Sequence, residues 1–306
     1  MLPTLRQLQY FKALAENRSF SKAAEVCNVT QSTLSAAIRQ LEDILGSELV
    51  DRSGRVLLLT DVGEQVLGQA TSLLRDAEDL VHGVKTRQKP LYGRFRLGVI
   101  PSIAPFLLPR FLPSLRESYP ELKLYLREDI TRNLVSGLRE GRLDAVLLAL
   151  PYDIKGFRKK LVGRDELLLA LPQNHRLVAA DTITLDDLRD EVLLLLEDGH
   201  CLRDHVLATI TGGVANSSEE LQATSMTTLV QMVDNGLGLT LIPQVAVESN
   251  VTSGTSICLS HIEGVEAMRD LCFVWRKHSS QEENARLMAD LFSNFMTATS
   301  ERGWVG

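Results

Sequence analysis

The sequence predicts three parts in series: a helical N-terminal part with a small hairpin, one long helix, and an α/β part with two clusters of strands. Three observations predict this order. Apolar residues recur at helical spacing through the first ninety positions. The polar run Lys85-Thr-Arg-Gln-Lys-Pro90 then reads as a linker. Beyond Tyr92, short apolar runs alternate with helical patterns, which is the rhythm of an α/β domain.

In the first part, Leu5, Leu8, Phe11, Leu14 and Ala15 mark one apolar helical face. Ser19 is the expected N-cap of a second helix through Lys22–Val26, which Asn28 breaks. Thr30 caps a third, with Leu34, Ile38, Leu41 and Leu45 on one face and Gly46 as its stop. The Ser53-Gly54 turn joins Leu49-Val50 to Val56–Leu59 as a hairpin. The long helix runs from about Asp61 to Lys85, with Val62, Val66, Leu73, Leu74, Leu80 and Val81 as its apolar positions.

In the α/β part, strands are expected at Phe95–Ile100, Leu122–Leu126, Ala145–Leu150, Leu167–Leu171, Val192–Leu196, Leu239–Ile242 and Leu271–Trp275. A last helix follows from about Gln281. The two clusters of strands suit two subdomains with a cleft between them.

Composition narrows the function. A chain of 306 residues has the length of about two or three domains. With 44% hydrophobic and 24% charged residues it is not a disordered chain. No apolar run approaches the ~18 residues of a membrane span; Val192–Leu196 meets Glu197 and Asp198 at once. The start, Met-Leu-Pro-Thr-Leu-Arg-Gln, lacks the basic and apolar stretches of a secretory signal, so a cytoplasmic protein without membrane partners is expected. The four cysteines form no CxxC pair, against a disulfide scaffold or a zinc site. No nucleotide loop, metal cluster or Ser/His/Asp set is visible, so neither an enzyme nor a cofactor is expected. Residues 1–90 carry 11 basic and 11 acidic side chains, and residues 91–306 carry 22 and 28. Any grip on nucleic acid therefore rests on local placement and on more than one subunit.

The second and third helices have helix-turn-helix geometry. Ala23 and Ala24 allow close crossing, while Val26 and Val29 are expected to plug the space between. The outer face of the third helix shows Gln31, Ser32, Thr33, Ser35, Ala36 and Arg39, short polar groups suited to a major groove. The competing reading is a helical hairpin with a solvated face.

Phe20-Ser-Lys-Ala-Ala-Glu-Val26, Val29-Thr-Gln-Ser32, Ser35, Ile38, Leu41-Glu42, Leu45-Gly46, Leu49, Arg52 and Leu59-Thr60 resemble the winged helix-turn-helix of LysR-type transcriptional regulators. The resemblance implies a DNA-binding domain over 1–60 and a dimerisation helix with linker over 61–90. It also implies an effector domain over 91–306, similar to periplasmic binding proteins, with lobe I about 91–163 and 269–306 and lobe II about 164–268. The implied partners are double-stranded promoter DNA, further copies of the chain as homodimer or homotetramer, and RNA polymerase. Arg52 and Ser53 would belong to a wing on the DNA backbone, with Arg55 flanking the same tip.

Cys27, Cys258 and Cys272 read as small buried hydrophobes. Cys201 differs, because it follows an apolar strand at the start of a helix, near His200, His205 and Arg203. The helix dipole and positive charge favour its thiolate, while Asp198 and Asp204 oppose it. The string Leu196-Glu-Asp-Gly-His-Cys-Leu-Arg-Asp204 resembles the peroxide-sensing loop of the OxyR branch of the family. Ile100-Pro-Ser102, Glu128 to Thr131, Ala223-Thr-Ser225 and Trp275-Arg276 agree with that branch. The resemblance implies a redox set of Cys201, His200, Arg203, Asp204 and Arg276, with Arg276 favouring the thiolate. It implies that Ser102, Thr131, Thr224 and Ser225 bind hydrogen peroxide or another effector. Ser102 and Thr131 are also expected to cap helices. One position departs from the branch: its second cysteine, nine residues on, is here Ile210. The alternative is a regulator of the same family that answers a small organic anion held between the lobes, with Cys201 a bystander.

Overall fold

The computed structural model describes residues 2–51, 57–86, 89–210 and 216–301. The chain forms two compact units, Met1–Gln88 with Arg139–Arg142, and Lys89–Leu138 with Leu143–Gly306. Among the described residues no helix is long and apolar enough to cross a membrane.

The first unit opens with α1 (Leu5–Asn17), started by a reciprocal cap between Thr4 and Gln7. Next come α2 (Phe20–Val26), capped by Ser19, and α3 (Gln31–Leu45), capped by Thr30. Gly46 ends α3 at φ 66°, a left-handed position that glycine takes without steric cost. Strands β1 (Val50–Asp51) and β2 (Leu58–Leu59) pair antiparallel, and α4 (Asp61–Thr86) follows. Phe11, Leu14, Leu34, Ile38 and Leu41 are fully buried in this core, together with Ala23. Each large side chain contributes about 1.5–3 kcal/mol by leaving water. Val26 is 64% exposed and does not plug the helix pair; Cys27 and Val29, half-buried, pack there instead. The cause is helical phase: Ala23 and Ala24 face inward, which turns position 26 out to solvent.

The second unit contains β3 (Gly93–Val99), α5 (Ala104–Ser118), β4 (Leu122–Glu128), α6 (Thr131–Arg139), β5 (Ala145–Leu150) and β6 (Phe157–Leu171). It continues with β7 (Val192–Leu196), α7 (Cys201–Ile210), β8 (Asn216–Ala223), α8 (Met226–Asp234), β9 (Thr240–Pro243) and α9 (Gln244–Val247). The last elements are β10 (Cys258–Ser260), β11 (Met268–Arg276) and α10 (Glu282–Glu301). Among the described residues the large sheet has the order β10-β6-β11-β5-β3-β4, with β9 also on β6, while β7 and β8 form a parallel pair. The β3 pairings to β4 and β5 are parallel, whereas β6 and β11 run antiparallel to each other.

Two cores result. The first gathers β3, β5, α5 and α10 around Phe111, Phe273 and Phe292, whose rings meet at 5.0 and 5.6 Å. The second gathers β7, α7, α8 and β9. β6 serves both, with Val162 in the first and Leu167 to Leu171 in the second.

Candidate functional site

The helix-turn-helix presents the outer face of α3 as the sequence predicts. Gln31, Ser32, Thr33 and Arg39 are exposed, and Ser35 is half-buried. The Ser21 hydroxyl donates to Gln31 Oε1 at 3.0 Å, which ties the Gln31 side chain to α2. The Thr30 hydroxyl lies 2.9 Å from that of Ser32 and 2.8 Å from that of Thr33, so the start of α3 is pre-ordered. Arg52, Ser53 and Arg55 lie outside the described residues.

In the second unit, the turn before α7 is tied down at both ends. Glu197 N–H donates to Ala223 O at 3.0 Å, and Gly199 takes φ 94°. A Cβ on Gly199 would stand 3.0 Å from Ile130, so glycine admits the turn beside the start of α6. Cys201 is therefore the first residue of α7, 5% exposed, and packs in the first core. Leu202, Val206 and Ile210 of the same helix pack in the second. The sulfur thus sits on the seam between the two cores.

Burial alone would push the Cys201 thiol up. His205, Arg269 and the Thr131 hydroxyl outweigh it and hold the thiol below its ordinary value. His205 lies four residues on, on the same helical face. Its Nδ1 is 2.6 Å from Cys201 O and its Nε2 is 2.6 Å from Leu150 O. Burial pulls His205 down, but the thiol and the two carbonyls together keep it above its ordinary value. Arg269 reaches Asp165 at 2.7 Å with both side chains fully buried. It also donates to Ser102 Oγ at 2.7 Å and to Ser102 O at 3.1 Å. Asp165 in turn accepts from Val245 N–H at 3.1 Å. Thr131 is 1% exposed, and its hydroxyl has no hydrogen-bond partner besides the Cys201 thiol.

Several expected residues stand elsewhere. Arg276 donates to Leu138 O and Leu143 O at 2.6 and 2.7 Å. It closes the opposite end of β11 from Arg269; seven residues at about 3.3 Å each put it roughly 23 Å along the strand. Of the two arginines, Arg269 is the one whose charge lowers the Cys201 thiol. Arg203 is taken by Asp198 at 2.9 Å and Leu196 O at 3.2 Å. His200 is pulled down by burial, against Glu197, and stays neutral, while Asp204 is exposed. Thr224 and Ser225 are exposed at the start of α8, where Ser225 caps Thr228 N–H. Ser102 caps no helix: its hydroxyl is held by Arg269, and Ile103 precedes α5 without a side-chain cap. Thr131 does not cap either, since Asp129 accepts from Ile130 N–H there.

His205, Arg269 and Asp165 are the additions to the expected set. The i, i+4 spacing from Cys201 signals His205 in the sequence. No local signal marks Arg269, which strand pairing alone brings to the site. All four cysteines are free. Cys272, buried in β11, is pushed up by burial to about 11, so it stays a neutral thiol. An open pocket of about 540 Å³ begins at Leu150, with Lys159, Arg164, Glu266 and Asp270 among its walls and Arg164 paired to Asp270 at 3.2 Å.

Two family matches cover most of the chain. Residues 5–64 match the bacterial regulatory helix-turn-helix protein, lysR family, and residues 88–296 match the LysR substrate binding domain. The transcriptional regulator EstR of Acinetobacter baylyi is 38% identical over 299 residues, covering 97% of this chain and 98% of that protein. The DNA-binding transcriptional dual regulator OxyR of Escherichia coli is 39% identical over 243 residues, covering 79% and 80%. Among solved structures, a full-length OxyR variant from Pseudomonas aeruginosa superposes with a TM-score of 0.74 at 30% identity, covering 97% and 95%.

Proposed function

The chain belongs to the LysR family of transcriptional regulators, and from that premise we propose that it controls promoters in response to hydrogen peroxide through Cys201. The observation that carries the reading is the buried Thr131 hydroxyl, which has no partner besides the Cys201 thiol, itself held below its ordinary value. A buried hydroxyl with no oxygen or nitrogen partner keeps hydrogen-bonding capacity that a bound ligand can take up. Ser102 Oγ accepts from Arg269, so its own proton is directed away and can be donated. Two hydroxyl donors and a thiolate suit a molecule with two adjacent oxygens. The thiolate attacks one peroxide oxygen, the O–O bond breaks, and hydroxide leaves and takes up a proton to become water. Sulfur remains as sulfenic acid.

In this reading Gln31, Ser32, Thr33, Ser35 and Arg39 meet promoter DNA, with Arg52 and Ser53 in the wing. The working protein is a homodimer or homotetramer in the cytoplasm, in contact with RNA polymerase. A sub-stoichiometric peroxide pulse, followed by mass spectrometry of every cysteine and by DNA footprinting, tests it. Cys201 is expected to oxidise first and the footprint to change with it. Equal labelling of Cys201 and Cys272 sinks the reading.

One observation favours a second reading. Ile210, 3% exposed in the second core, stands where the resembled branch has its second thiol. A small organic effector would then replace peroxide. The pocket at Leu150 gives this little support for an anion, because two carboxylates share its walls with the two cations and Asp270 pairs with Arg164.

A further inference from the structure

Both ring nitrogens of His205 face main-chain carbonyl oxygens at 2.6 Å. A carbonyl oxygen only accepts, and a neutral imidazole carries a single N–H. The neutral ring would therefore turn a lone pair onto one of these oxygens, in a site where His205 is 6% exposed. An unpaired polar group in such surroundings is costly. Only the doubly protonated ring donates to both carbonyls. We propose that His205 stands as a buried imidazolium that holds Cys201 as a thiolate, and that its bond to Leu150 O breaks when the sulfur loses its negative charge.

The neighbouring charges agree with this assignment. Arg269 on β11 is the other cation that acts on the sulfur, and Asp165 on β6 neutralises it. On α7 itself, Arg203 is paired with Asp198 and Asp204 is exposed. From α6 comes the uncharged Thr131 hydroxyl, and from β5 the Leu150 carbonyl. The partner charge of the thiolate is thus His205, a positioning residue.

The consequence for signalling rests on the peroxide reading; the ion pair does not. As the thiolate forms its S–O bond and the O–O bond breaks, hydroxide takes the proton of His205 and leaves as water. Sulfenic acid and a neutral imidazole remain, so protons and electrons balance. The neutral ring keeps one N–H for two carbonyls. The bond to Cys201 O lies within one helical turn, whereas Leu150 O belongs to β5 of the first core. Release of Leu150 therefore loosens α7 from that core.

The test uses the full chain and two probes other than peroxide. Iodoacetamide labelling, resolved by residue across pH, is expected to place the Cys201 midpoint below the ordinary value of about 8.5. His205→Gln is expected to raise that midpoint by about one unit or more, slowing labelling roughly tenfold near neutral pH. In the unaltered protein, 15N resonances are expected to show both His205 nitrogens protonated. Methyl methanethiosulfonate caps the thiolate as a neutral methyl disulfide and releases methanesulfinate, after which one nitrogen is expected to lose its proton. An unchanged midpoint in His205→Gln, or a singly protonated ring before capping, overturns the proposal. If both probes behave as expected but peroxide does not single out Cys201, the ion pair stands and the peroxide reading falls.

Discussion

Arg269 and Asp165 face each other across β11 and β6 as register partners, and their side chains meet at 2.7 Å with no solvent exposure. The pair stands where β6 passes from Val162 of the first core to Leu167 of the second. It also aims a cation at Cys201 and holds the Ser102 hydroxyl.

Removing one member of this pair strands the other. Arg269→Met is expected to destabilise the second unit by about 3–5 kcal/mol, because Asp165 is left in a dry site without the cation that offsets its burial. Arg269→Met with Asp165→Leu is expected to recover much of that loss. Urea unfolding of the single and double variants checks both; equal losses would show that the charge is not what matters.

Thr131→Val keeps the volume near the thiol and deletes the hydroxyl. If that hydroxyl orients peroxide, Cys201 oxidation slows about tenfold, the worth of one hydrogen bond of roughly 1–1.5 kcal/mol. Iodoacetamide labelling separates this loss from a change in the thiol itself.

Glu248 gives a pH dependence. Burial raises its carboxyl, Gln244 opposes, nearby Asp165 adds, and Arg110 opposes, leaving it at about 7 against an ordinary 4.5. A carboxyl raised on folding contributes stability that is complete below 4.5 and lost as pH climbs to about 7. Glu248→Gln is expected to flatten the decline across that window in urea titrations at stepped pH.

On the DNA side, Gln31→Ala or Ser35→Ala is expected to cost about 1–3 kcal/mol for each base edge no longer hydrogen-bonded. Arg39→Ala is expected to weaken all sequences alike and to lower the salt slope by about one. Anisotropy titrations over a salt series distinguish the two patterns, and three unchanged footprints would remove α3 from the groove.

Val62, Leu73 and Leu80 on α4 are 42%, 54% and 72% exposed. So much apolar surface on one helix is expected to be covered by a second copy. Light scattering at micromolar concentration checks this, with a monomer as the contrary result.

Much of this is legible in the residues. The caps Ser19 and Thr30, the stop at Gly46 and the bounds of β5 and β7 follow from local chemistry and apolar runs that the chain writes plainly. Cys201 at the start of α7 is legible for the same reason. β8 is not: Asn-Ser-Ser-Glu-Glu-Leu-Gln-Ala is a polar string that becomes a strand by pairing with β7. The first half of β6 is likewise charged, and is held by β11. Arg269 is hidden by its distance from Cys201 along the chain, and the resemblance points instead to Arg276, at the other end of the same strand.

β6 passes from Val162 in one core to Leu167 in the other without a break, and β11 lies beside it from Phe157 to Glu166, up to that crossing. The two halves of the effector part are therefore not exchangeable cartridges. A chimera that borrows one half from a relative has no loop at which to cut; it must sever two hydrogen-bonded strands in register. Grafts that carry both strands whole, with their Asp165 and Arg269, are the ones expected to fold.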